Sequence, residues 1–136
     1  MATEERVPIG SDADVVTARA AGRQLAQPLG FTGTDLTLIA TAISEIARNI
    51  VLYAGEGEMR IRVLDERERQ GVEVVATDGG PGISDVPLAM QDHYSTGSGM
   101  GLGLPGARRL MDDFDIQSHL GEGTRVTMRK WAARRG

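Results

Sequence analysis

Eight of the chain's 18 glycines fall between Gly79 and Gly106. Glycine loses more backbone freedom on folding than any other residue, so such a cluster needs a reason. Either the stretch is a flexible surface loop, or its backbone must approach a ligand closely. The core must then come from the rest of the chain. With 136 residues and 14.5 kDa, that is one compact domain over residues 1–131 and a short tail over 132–136. There is no cysteine, which excludes disulfides, thiol catalysis and cysteine-ligated zinc or iron–sulfur sites. The only histidines, His93 and His119, are too few for a multi-histidine metal site. The net charge of −4 argues against nonspecific nucleic-acid binding, which needs clustered positive charge. The N-terminal MATEERVPIGSDAD has no apolar signal core, and no run approaches the roughly 20 apolar residues of a membrane span. No membrane partner is expected, and a cytoplasmic location fits.

Residues 6–9 read as a short strand. Ser11 or Asp12 then caps a helix, with Ser11-x-x-Asp14 resembling a capping box, and that helix stops at residues 28–30 around Pro28. A second helix begins near Thr34. Its Leu36, Ile39, Ile43, Ile46, Ala47 and Ile50 recur at spacings of three and four, and it ends before Gly55. Period-two alternation predicts strands over 58–65 and 72–77, joined as a hairpin. Residues 78–100 form a long polar, glycine-rich loop, of a length that in compact domains is functional or disordered. A helix from 101 or 102 to 111 and strands over 115–120 and 124–131 complete the chain. Strands joined by tight turns imply antiparallel pairs. The expected fold is α/β: a two-layer sandwich, its mixed or antiparallel sheet covered on one face by about three helices.

Gly101-x-Gly103-x-x-Gly106 formally matches a dinucleotide fingerprint, but no strand precedes it. The phosphate-loop pattern fails too, because the single lysine, Lys130, is far from any glycine loop. What remains is Ser98-Gly99-Met100-Gly101-Leu102-Gly103 running into a helix. Alternating glycines bare successive N–H groups, and a helix N-terminus adds partial positive charge, which suits a triphosphate. Glu45 and Asn49, four apart, share a helix face roughly opposite the apolar stripe. By itself that face reads as solvated, with Arg48 a surface charge, while Leu38 and Leu52 close to it leave open a second packed or liganded surface. Asp78-Gly79-Gly80-Pro81-Gly82, directly after a strand, is either a tight turn or a hydrogen-bond acceptor with glycines that admit a flat ligand. Gly121-Glu122-Gly123-Thr124 alone is a good hairpin turn. Trp131 and Tyr53 read as packing residues.

Together and in this order, E-x-x-x-N on a helix, D-x-G-x-G after a strand, G-x-G-x-G before a helix and G-x-G-T between strands resemble the GHKL ATPase superfamily. Its members include gyrase-type ATPases, Hsp90, histidine kinases and MutL-type proteins. Within it, Ala42-Ile-Ser-Glu45-Ile-Ala-Arg48-Asn49, the Leu52-Tyr53-Ala54-Gly55 that follows, and the segment from Gly103 to Ile116 resemble the bacterial serine/threonine kinases of the anti-sigma-factor type.

The resemblance implies ATP and Mg²⁺ as ligands. It makes Asn49 the Mg²⁺ ligand, a hard amide oxygen, and Glu45 the general base toward a substrate hydroxyl. It makes Asp78 the acceptor of the adenine amino group, with Gly80 and Gly82 lining the same end and Thr124 helping to hold the base. Gly99, Gly101 and Gly103 become phosphate contacts, and residues 85–98 an ATP lid. Arg48 and Arg108 are candidates for phosphate contact. The substrates implied are serines or threonines of STAS-domain proteins, the anti-anti-sigma type, with a PP2C-type phosphatase as a further partner. A histidine-kinase role is disfavoured because no phosphoacceptor histidine precedes the second helix. An anti-sigma factor that binds a sigma factor directly and a non-catalytic nucleotide-gated binding module remain as alternatives.

Overall fold

The computed structural model describes residues 3–66, 68–82 and 103–132. Its central helix is α2 (Gly33–Asn49). Thr32 caps it, its hydroxyl accepting the Asp35 N–H at 3.0 Å. Leu36, Ile39, Ile43, Ile46 and Ile50 form one buried stripe, as their spacing requires. Before it come β1 (Glu4–Ile9) and α1 (Asp12–Ala26), which ends in a 3₁₀ turn, Gln27–Leu29, at Pro28. Ser11 stands at the N-cap of α1 but makes no side-chain bond to the helix backbone. Instead Asp14 reaches back and accepts the Gly10 N–H at 2.9 Å and the Ser11 hydroxyl at 3.2 Å, so the expected box is replaced by a side-chain bridge one residue ahead of the helix. The helix α2 continues into a π-turn, Ile50–Ala54, closed by the Gly55 N–H donating to the Ile50 carbonyl. Residues 33–54 are long and apolar enough to cross a membrane by composition alone, but their stripe is buried in the core of this fold.

The hairpin β2 (Gly57–Glu66) and β3 (Arg69–Asp78) is followed by α3 (Gly103–Leu110), β4 (Asp113–His119) and β5 (Gly123–Trp131). The sheet order is β1-β2-β3-β5-β4, and every one of these pairs is antiparallel. The three helices α1, α2 and α3 cover one face. Met59, Ile61, Val72, Val74, Val126 and Met128 point into that layer with the α2 stripe. Lys130 has a structural role: its ammonium donates to the Leu110 carbonyl at 2.9 Å and satisfies the C-terminal end of α3. Ala132, the first residue of the expected tail, is buried and donates its N–H to the Gln70 carbonyl. Residues 133–136 lie outside the described residues.

The opposite face of the sheet is held by charge. The register lines up Glu4, Arg62, Glu73, Arg129 and Asp113 across five strands, alternating in sign. At its centre Glu73 is only 3% exposed and accepts Arg62 Nε and Arg129 Nε, each at 2.7 Å. Burial alone raises the Glu73 carboxyl, but the hydrogen bonds from Arg62 and Arg129 outweigh it and hold the group below its ordinary 4.5. A depressed folded-state value stabilises the fold above 4.5, and that contribution is lost as pH falls through the lowered value. Glu73→Gln is therefore expected to cost about 2 kcal/mol at pH 7. It should also flatten the loss of stability below pH 4.5; urea unfolding of both proteins across pH 3–7 checks this.

On the same face Trp131 lies over Gly71, with the Arg69 guanidinium 3.6 Å from its ring centroid and its indole N–H on Asp113. That bears out a packing role for Trp131. Tyr53 is different: it is half exposed on the π-turn.

Candidate functional site

The sheet register assembles one end of the site. In a single row across the strands, Gly57 pairs with Asp78, Asp78 with Thr124, and Thr124 with Ser118. Asp78 Oδ1 accepts the Gly80 N–H at 2.9 Å, which fixes the carboxylate. Its second oxygen has no partner among the described residues and is available to a donor. The Thr124 hydroxyl shares a 2.8 Å hydrogen bond with the Ser118 hydroxyl, and Ser118 also donates to the Gly123 carbonyl at 3.1 Å. The part of Ser118 is not legible in its local pattern, because Thr124 comes into reach only when β4 pairs with β5.

The turn of residues 121–124 does more than close a hairpin. Gly82 (φ +76°) backs onto the His119 carbonyl and Gly123 (φ +89°) onto the Asp78 carbonyl. A Cβ at either would collide with that backbone, so both the left-handed torsion and the close approach require glycine. The Gly121 N–H donates to the Pro81 carbonyl at 2.7 Å. The two turns thus interlock, backbone to backbone, and carry Asp78 and Thr124 as one unit.

The other end of the site lies on α2. The local pattern left the face of Glu45 either solvated or packed, and the structure packs it: the residue is only 9% exposed. The face opposite the sheet is closed by the start of α3, whose Gly103 (φ +65°) donates its N–H to Glu45 Oε2 at 3.1 Å. Arg48 is not a free surface charge either, since its Nη1 donates to Glu45 Oε1 at 3.0 Å. One turn on, Asn49 is half-buried, and its side-chain amide has no hydrogen-bond partner among the described residues. An uncommitted amide oxygen one turn from a carboxylate is a donor set that fits Mg²⁺.

These contacts give the site a direction. Gly103 meets α2 at Glu45, while Gly80 packs against Ala54 nine residues later. At 1.5 Å per residue the two contacts are roughly 13 Å apart along the helix, with Asn49 between them. Of the other candidates, Gly99, Gly101 and the lid over 85–98 lie outside the described residues. Arg108 is exposed on the last turn of α3.

A family profile described as a histidine kinase-like ATPase domain matches residues 10–130. The Bacillus subtilis serine/threonine-protein kinase RsbT is 48% identical over 125 residues, covering 92% of this chain and 94% of the relative. An anti-sigma F factor of Caldanaerobacter subterraneus is 32% identical over 123 residues, covering 86% and 85%. Among solved structures, the RsbU and RsbW domains of Rv1364c from Mycobacterium tuberculosis superpose with a TM-score of 0.62 at 20% identity. That match covers 96% of this chain and 34% of the other. The mycobacterial sensor histidine kinase MprB gives a TM-score of 0.56 at 18% identity, over 97% and 99%. These two likenesses speak to the fold alone. The profile match over nearly the whole length and the identity to RsbT place the chain in the histidine kinase-like (GHKL) ATPase family, among its serine/threonine kinases of the anti-sigma-factor type.

Proposed function

We propose that this chain transfers the γ-phosphoryl group of ATP to a serine or threonine of a STAS-domain protein and so acts as a cytoplasmic partner switch in a stress-response pathway. The observation that carries the reading is the order of groups along α2. A carboxylate at the phosphate-binding end, an uncommitted amide oxygen next, and a fixed acceptor at the sheet end follow the order of a nucleoside triphosphate. Asp78 accepts from the adenine amino group, with Gly80 and Gly82 lining that end and Thr124, steadied by Ser118, holding the base. Gly103, together with Gly99 and Gly101, offers N–H groups to the phosphates. Asn49 would hold Mg²⁺, which when bound neutralises charge on the phosphate oxygens. Glu45 accepts the proton of the substrate hydroxyl while that oxygen bonds to the γ-phosphorus. The bond from the γ-phosphorus to its bridging oxygen breaks, and ADP leaves.

The anti-sigma F factor relatives favour a second reading, in which the chain binds a sigma factor directly and phosphorylates that factor's antagonist. A PP2C-type phosphatase is the downstream partner in the first reading. Incubation with labelled Mg-ATP and a STAS-domain protein is the test. Label on a serine or threonine of that protein is the expected result. Retained ATP binding without label would overturn the kinase reading in favour of a nucleotide-gated binding module. Capture of a sigma factor by the purified chain would favour the second reading.

A further inference from the structure

The two oxygens of Glu45 have different partners, and the difference matters. Oε1 accepts Arg48 Nη1 at 3.0 Å from three residues along the same helix. Oε2 accepts the Gly103 N–H at 3.1 Å from the first residue of α3. Arg48 belongs to the helix that carries the base, whereas the Gly103 N–H belongs to the segment that meets phosphate. Each carboxylate oxygen has two lone pairs and one on each is already taken, which narrows the directions from which a substrate hydroxyl can reach Glu45. We propose that Arg48 is a positioning residue for phosphotransfer. It holds Glu45 by Oε1, while nucleotide phosphate takes over the Gly103 N–H and so opens Oε2 to the substrate hydroxyl.

The physical need for Arg48 follows from this exchange. With the Gly103 N–H on Oε2, the carboxylate is fixed from both sides. Once that donor turns to phosphate, the flexible glutamate side chain keeps Arg48 as its partner among the described residues. A base displaced by about 1 Å costs on the order of a hundredfold in rate. The Arg48 side chain is 44% exposed, so its loss leaves the core intact, while the Glu45 side chain is 11% exposed and cannot find water as a full replacement. The Arg48 end of the pair is open to solvent, which limits what the pair adds to stability. The consequence of losing it is in the geometry of the base.

The inference rests on Glu45 being the base, so the test carries that reading beside it. Arg48→Ala, Arg48→Lys, Glu45→Gln and the double variant Arg48→Ala with Glu45→Gln are compared. For each, Mg-ATP affinity is measured by calorimetry, and kcat and KM by phosphotransfer to the STAS-domain substrate. Arg48→Ala is expected to keep its ATP Kd within about twofold while kcat falls roughly ten- to a hundredfold. Arg48→Lys should recover part of the rate, because an ammonium restores charge without the planar donor. The double variant should be no slower than Glu45→Gln alone, because both changes act on one group. Full kcat in Arg48→Ala beside an inactive Glu45→Gln would overturn the role of Arg48 and leave the base standing. A loss of ATP affinity that matches the loss of rate would make Arg48 a phosphate ligand instead. An active Glu45→Gln would remove the base reading and this inference with it.

Discussion

Glu45→Gln is expected to bind Mg-ATP and to lose phosphotransfer by about 10²- to 10⁴-fold, the usual contribution of a positioned general base. The substitution keeps the volume of a residue that is 9% exposed and keeps an oxygen that can accept from Arg48 or from the Gly103 N–H. What it removes is the ability to take a proton at neutral pH. Binding should survive because the proposed adenine end, Asp78 and Thr124, is set by the sheet register and owes nothing to Glu45. Calorimetry for ATP and single-turnover transfer of labelled phosphate separate the two properties. Wild-type transfer rates in this variant would rule out Glu45 as the base, and loss of both properties together would make it a structural residue.

The second large effect is expected at Asp78, where the isosteric change to Asn should weaken ATP binding by about a hundredfold or more. The reason is the fixed orientation of the side chain. Asp78 Oδ1 is held by the Gly80 N–H at 2.9 Å. In the asparagine variant the amide oxygen stays with that donor, and the amide NH₂ takes the place of the uncommitted carboxylate oxygen. A donor then faces the adenine amino group, itself a donor, and neither finds an acceptor. Undiminished ATP affinity, with an unchanged thermal midpoint of the free protein showing that the fold is intact, would exclude Asp78 from the nucleotide site.

Most of the fold could be read from local pattern. The α2 stripe and the alternation in β2 and β3 are properties of single elements, and their periods survive burial. What escaped was set by neighbours. Glu73 looks like an outward-facing residue of an amphipathic strand, and only the pairing of β2 and β5 on either side brings Arg62 and Arg129 to bury it. Strand β4 begins at Asp113, two residues earlier than its apolar alternation suggests, where Asp113 pairs with Arg129 and takes the Trp131 indole N–H. In the site, the spacing of Glu45 and Asn49 placed them on one face. The spacing could not show that α3 closes over that face, or that Arg48 turns back to the carboxylate. Nor could a hairpin turn at residues 121–124 reveal its lock onto residues 78–82, because that contact joins segments some forty residues apart in sequence.

The row that joins Gly57, Asp78, Thr124 and Ser118 across the sheet also bears on how the protein reaches its native pairing. Side chains alternate along a strand, so a one-residue slip of β5 against β3 would set Gly123 or Arg125 opposite Asp78 and turn Thr124 to the charged face. Such a slipped sheet could still hydrogen-bond its backbone, yet it would part Asp78 from Thr124. A nucleotide that needs Asp78 and Thr124 together therefore stabilises the correctly paired chain and no slipped one. On the proposed reading, bound ATP therefore adds to the stability of the native register alone, before any phosphate is transferred.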